Sequence, residues 1–301
     1  MQTYFFLILG MHRSGTSFLA KCLNVSGVYL GKNLLLSHTI SKANPKGFWE
    51  NQDFRKLSEK LLKENNGSWH QITSNLKCSN TIKQDYKKIV DKLVSESHFV
   101  SGIKDPRLLL IHDLILDVFP DNKIYVGIFR HPLKVVESLK IRNNFEYQKS
   151  LALWKAYNLK LLDYITKNNG FLFDFDWPKE KLLSEISQFI KKNGLLNTDL
   201  NLEYSEDLLR SNKSFDSTYT IPQEIENLYE KLKERSLQNN AINSVPITFS
   251  IDEAREIMSK MNRIVNEFSE PKKIDNKSNT LYSKIQKKKI RIRKILKKIT
   301  N

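Results

Sequence analysis

The chain alternates short, unbroken apolar runs with longer stretches in which apolar positions recur every three or four residues. The runs at 4–9, 99–103, 123–129 and 171–175 predict buried strands. Between them, Phe54, Leu57, Leu61 and Leu62 fall on one helical face, and so do Leu151, Trp154, Leu161, Leu162 and Ile165. Helices are also predicted over 107–119, 133–142, 179–191, 224–235 and 251–268. Strands separated by helices imply a parallel sheet with crossover helices, an α/β fold of three layers. No internal repeat is visible. Polar stretches at 198–220 and 239–248 read as surface loops.

Composition narrows this further. A chain of 301 residues, 40% hydrophobic, can bury one sizeable core. The expected organisation is one domain over 1–275 followed by a tail over 276–301. Cys22 and Cys78 are the only cysteines, so no disulfide framework is expected and a reducing, cytoplasmic setting is. The apolar run at 4–9 is too short for a signal peptide and leads into His12-Arg13 rather than a cleavage site. No stretch reaches the roughly 20 apolar residues that span a bilayer.

The net charge is +16, and nine Lys or Arg with no acid lie between 284 and 298. Such an excess suits an anionic cosubstrate, an acidic surface or nucleic acid. In the tail, Leu281, Ile285, Ile292, Leu296 and Ile299 share one helical face, with Lys288 and Lys289 interrupting it. This basic C-terminal helix has two readings, a solvated helix docked on the domain or one lying on an anionic membrane surface.

Directly after the first predicted strand stands Gly10-Met-His-Arg-Ser-Gly-Thr-Ser17. It has the frame of a phosphate-binding loop, but Thr16 occupies the position where a nucleotide triphosphatase has its lysine. A strand ending at Gly10 and a helix beginning near Thr16 would turn the amides of Ser14, Gly15, Thr16 and Ser17 toward an anion. Arg13 can neutralise charge on a leaving oxygen there. After the third predicted strand, Arg130 is followed by Pro132, suited to a helix's first turn, and by Ser138 two turns along. Guanidinium and hydroxyl together can grip a second phosphate at the sheet's edge.

These two stretches resemble the sulfotransferases that use 3′-phosphoadenosine 5′-phosphosulfate. In that family an Arg/Lys-Ser-Gly-Thr-Thr/Ser loop holds the 5′-phosphosulfate, matched here by Arg13-Ser14-Gly15-Thr16-Ser17, and an Arg-x7-Ser element holds the 3′-phosphate, matched by Arg130 and Ser138. "NPKGFWEN" at 44–51 and "IKDPRL" at 103–108 look like segments of its bacterial and carbohydrate-directed branches. The resemblance covers residues 4–180 or so and implies a P-loop-type fold, transfer of a sulfuryl group to an acceptor hydroxyl, and release of adenosine 3′,5′-bisphosphate. Two departures count against a phenol or steroid enzyme. No Arg-Lys-Gly occurs in the chain, and the family's Lys-x-His is Lys104-Asp105-Pro106 here. A carbohydrate or glycolipid acceptor is the better expectation.

In this reading Arg13 stabilises the departing oxygen, Lys104 neutralises the transferring group and Glu50 is the base. The aromatic surface of Phe48 and Trp49 is expected to raise the Glu50 pKa by desolvation and to stack on a sugar ring. An alternative for Glu50 is a capping contact to the following helix, and Asp105 is the runner-up base. The six histidines show no metal-ligand spacing with the cysteines, so no metal is expected. His12 and His131 flank the two phosphate sites, where they can add hydrogen bonds, though a histidine in such a loop is more often a packed side chain than a catalytic one. Two rivals remain. A nucleotide kinase would share the architecture but need magnesium, and a nucleic-acid binder would exploit the tail but shows no reading module.

Overall fold

The protein's structure is a computed structural model that describes residues 4–35, 47–97, 100–196, 200, 219–239 and 242. All of them belong to one compact unit, Met1–Thr248. The helix expected over 251–268, the domain boundary at 275 and the basic tail lie outside the described residues, as does most of the two polar loops.

Four parallel strands form the sheet: β1 (Tyr4–Leu9), β2 (Val100–Lys104), β3 (Lys123–Phe129) and β4 (Phe171–Asp174). Their order across the sheet is β2-β1-β3-β4, with Ile8 level with both Lys104 and Val126 and Phe129 level with Asp174. The chain steps outward from β1 to β2 on one side, then returns to build β3 and β4 on the other. Crossovers therefore diverge between β1 and β3, which leaves a crevice outside their carboxyl ends.

Eight helices are described: α1 (Thr16–Val25), α2 (Gln52–Glu64), α3 (Asn80–Ser97), α4 (Leu108–Ile115), α5 (Pro132–Asn143), α6 (Tyr147–Lys167), α7 (Lys179–Lys192) and α8 (Gln223–Ser236). β1 is apolar throughout because both of its faces are covered. Phe5, Leu7 and Leu9 join the large core with residues of α2 to α6 and α8. Phe6 points the other way and meets Phe189 of α7 edge-on, with the ring centroids 6.2 Å apart. This is the three-layer α/β arrangement that the alternating pattern predicts. Among the described residues, no helix is long and apolar enough to cross a membrane.

Two elements differ from the sequence reading. α3 has no counterpart in it, because its buried stripe is thin: Ile82, Tyr86, Val90 and Leu93 supply about one apolar side chain per turn in a charged segment. The helix expected over 107–119 ends at Ile115 and tightens into a 3-10 turn over Leu116–Val118. Elsewhere the end signals act as chemistry requires. Asn51 caps α2, its side-chain oxygen accepting from the backbone N–H of Asp53 and Phe54 at 3.1 Å. Pro132 opens α5 behind His131, whose Nδ1 accepts from Leu133 N at 3.2 Å.

Candidate functional site

The loop after β1 turns sharply into α1. Gly10 (φ +150°) and Gly15 (φ +89°) lie in the region that favours glycine. A Cβ on Gly15 would stand 2.4 Å from the Phe175 ring, so that ring can close over the loop only because nothing projects there. Gly15 is the N-cap of α1 and offers no side-chain cap, leaving first-turn amides aimed outward from the helix end. Ser14 is wholly buried, and its Oγ has no hydrogen-bond partner among the described residues. A buried hydroxyl left over beside uncapped amides fits an anion that completes both.

Arg13 takes φ +70°, and its Nε donates to Ser138 Oγ at 2.7 Å. The two stretches that the sequence marks separately thus touch across the crevice. Ser138, expected at a second phosphate, anchors the loop arginine in this structure. Arg130 lies with its Nε 3.6 Å from Asp176 and its guanidinium carbon 5.3 Å from the Phe175 ring centroid. The Asp176 carboxylate also accepts from the His131 backbone N–H and from Lys134, both at 2.7 Å. The first turn of α5 therefore already faces an anion from the chain itself. No sequence signal marks Asp176, and Phe175 reads only as the end of the strand predicted over 171–175. β4 stops at Asp174, and both residues reach Arg130 only through strand pairing.

Between the loop and β2 lies a buried ionic cluster. Lys104 Nζ donates to Glu50 Oε1 at 2.8 Å and to Phe48 O at 3.0 Å, with Ser17 Oγ at 3.5 Å. Ser17 Oγ itself donates to Phe48 O at 3.1 Å. Arg107 Nη1 reaches Asp105 Oδ1 at 2.7 Å and Glu50 Oε2 at 3.3 Å, while Nη2 reaches Glu59 at 2.9 Å. Asp105 Oδ1 also accepts from the Arg107 backbone N–H at 2.9 Å, the turn-stabilising contact expected of an Asp before Pro. Its Oδ2 is buried with no hydrogen-bond partner among the described residues. Arg107 sits in the quoted "IKDPRL" but carries no assigned role in the sequence reading, because an arginine there is indistinguishable from a surface one until the burial is known.

The electrostatics correct one expectation. Burial does push the Glu50 carboxyl up, but Lys104 and Arg107 outweigh it, and the net pKa lies below the ordinary value. The raised pKa expected from Phe48 and Trp49 is therefore not found, because two cations face the carboxylate. The capping alternative also passes to its neighbour, since Asn51 is the α2 cap. Burial pulls the Lys104 ammonium down, and Glu50 restores part of the loss.

His12 and aromatic side chains make up a further wall. The His12 ring is 4.4 Å from Trp69, and Trp69 is 5.7 Å from Phe145, centroid to centroid. Tyr157 OH donates to Trp69 O at 2.7 Å, holding that segment against α6. Arg142, one turn beyond Ser138 on α5, lies 5.5 Å from the Phe48 ring centroid. Among the described residues no three His, Cys, Asp or Glu side chains gather as a metal site.

No family model matches the chain, and no curated protein matches it. Among solved structures, the sulfotransferase domain from the Synechococcus PCC 7002 olefin synthase aligns over 86% of this chain and 96% of its own, with 18% identity and a TM-score of 0.43. Sulfotransferase STF1 from Mycobacterium tuberculosis H37Rv aligns over 78% of this chain and 77% of its own, with 10% identity and a TM-score of 0.37. These structural neighbours of the chain are sulfotransferase domains, and the likeness is one of fold.

Proposed function

We propose that the protein is a sulfotransferase that moves a sulfuryl group from 3′-phosphoadenosine 5′-phosphosulfate to an acceptor hydroxyl on a carbohydrate or glycolipid. The observation that carries the reading is the contact between Arg13 and Ser138, which joins a lysine-free phosphate loop to the helix of the second phosphate motif at the divergence of β1 and β3. The residues fit such a donor. Ser14 Oγ and the uncapped turn of α1, comprising Gly15, Thr16 and Ser17, would hold the 5′-phosphosulfate, and Arg130 with Ser138 the 3′-phosphate. The donor supplies an activated sulfuryl group linked through oxygen to a 5′-phosphate.

Arg13, placed by Ser138, neutralises the charge that develops on the departing oxygen. Lys104 is fixed by Glu50 and Phe48 O and meets the charge of the transferring group with the donor that otherwise makes the long contact to Ser17 Oγ at 3.5 Å. Glu50 is ionised, as a base must be, yet both of its oxygens are held by cations and its proton affinity is reduced. It acts in this reading chiefly by holding Lys104 and Arg107. The aromatic wall of Trp69 and Phe145 supports a ring-bearing acceptor.

Calorimetry tests the donor assignment. Adenosine 3′,5′-bisphosphate should bind at least 10-fold more tightly than AMP, and Arg130→Ala should erase the difference, a tenfold step corresponding to about 1.4 kcal/mol. Equal affinities in the unaltered protein would overturn the second phosphate site.

A further inference from the structure

Glu50 holds a cation with each oxygen and Asp105 holds Arg107 with Oδ1, while Asp105 Oδ2 is enclosed between the turn and Arg107. Among the described residues the loop itself offers a further titratable group, His12. His12 is only 7% exposed, and its Nε2 is enclosed with no hydrogen-bond partner among the described residues. Leaving a buried imidazole nitrogen unmet carries the full desolvation penalty of that atom. A ring needed only for packing against Trp69 and Tyr157 would be served as well by phenylalanine, without that cost. A buried nitrogen of this kind calls for a reason, and a catalytic role is one that its place in the phosphate loop supports.

Resting on the function proposed above, we propose that His12 Nε2 is the proton acceptor for the acceptor hydroxyl, with the adjoining faces of Trp69 and Phe145 seating the acceptor. His12 precedes Arg13 in the loop, so the group that takes the proton and the group that meets the leaving charge are chain neighbours. In the step, the hydroxyl oxygen bonds to sulfur as its proton passes to Nε2. The bond from sulfur to the 5′-phosphate oxygen breaks, and its electron pair leaves with that oxygen beside Arg13. No oxidant, reductant or further reactant is needed.

The surroundings support a neutral ring ready to accept. Burial first, and then Arg107, Lys104, Arg142 and Arg13, hold the imidazole well below its ordinary value of 6.5. The carboxylates beside these cations are already paired, Glu50 with Lys104 and Arg107, and Asp105 and Glu59 with Arg107. Neighbouring Tyr157 is kept neutral, since burial raises its pKa far above the ordinary range. His12 thus stays unprotonated through neutral pH. The cations that lower its proton affinity include Arg13 and Lys104, whose charge the anionic donor would offset on binding, so the affinity would recover where the proton is taken.

The test uses the full chain, radiolabelled phosphoadenosine phosphosulfate and a hydroxyl panel of methyl hexosides, a glycolipid and a simple phenol. His12→Phe keeps the ring packing. It should lower kcat by about 10²-fold or more while acceptor KM and calorimetric affinity for adenosine 3′,5′-bisphosphate stay within about threefold. Its Tm should be unchanged or higher. In the unaltered protein, nitrogen NMR of the imidazole should show Nε2 without hydrogen at pH 7, and kcat/KM should lose no activity to a group titrating near 6.5. Transfer by His12→Phe within threefold of normal, or an Nε2 that carries the hydrogen, would overturn the assignment alone. Failure of the unaltered protein to label any acceptor would overturn the function reading and this inference with it.

Discussion

Asp174 ends β4 beside the Arg130–Asp176 contact, and its environment makes a stability prediction with a definite sign. It is 4% exposed, and burial raises its pKa from 3.8 to about 6. The backbone N–H of Asp176, donating to Oδ1 at 2.9 Å, offsets part of that rise, and the Asp176 charge adds to it. The folded state therefore holds this proton more tightly than the unfolded chain does. The resulting stabilisation is complete below about pH 4 and is lost as pH rises through about 6. Above that the ionised carboxylate costs about 3 kcal/mol, two pKa units at 1.36 kcal/mol each. Asp174→Asn keeps an oxygen for Asp176 N and removes the charge. It should therefore stabilise the protein by about 3 kcal/mol at pH 8, raising Tm by roughly 6 °C or more, and by almost nothing at pH 4. Urea unfolding at both pH values measures this. A variant no more stable than the parent at pH 8, or equally shifted at both, would refute the argument.

Glu50→Gln should destabilise the fold by about 3 kcal/mol or more at pH 7, because Lys104 is left buried without its carboxylate. It should also cut turnover by about 10²-fold with bisphosphate affinity within a few fold, and unchanged turnover would remove Glu50 from the site's chemistry. The folded pKa of Glu50 is depressed, so its stabilisation is present above 4.5 and disappears as pH falls through the lower folded value; acid unfolding of the variant should be correspondingly less steep. Gly15→Ala should lose at least 10-fold in bisphosphate affinity, since the new Cβ meets the Phe175 ring at 2.4 Å and Phe175 lies under Arg130. Phe175→Ala in the same chain should recover part of the loss, and a Gly15→Ala protein that binds normally would show that the loop is not held this way.

The sequence by itself determined the elements and the loop. An apolar run of six such as 4–9 is the length and composition of a strand covered on both faces, and Gly10 with Gly15 suits a sharp strand-to-helix turn. The thin stripe of α3 escaped because its few apolar residues acquire meaning only once Phe54 and Ser58 of α2 lie against Tyr86. Pairings and electrostatics were decided only by tertiary structure. Glu50 reads as a carboxylate beside aromatics, and its pKa direction reverses when β2 and the turn after it bring Lys104 and Arg107 to its two oxygens. Ser138 reads as a phosphate ligand and is found under Arg13. Asp176 carries no motif, yet it faces the first turn of α5 because β4 pairs with β3. Periodicity is a property of the local chain and survives in one dimension. The charge a group carries depends on which distant residues the fold sets within a few ångströms of it, and that distance is not written in the order of the residues.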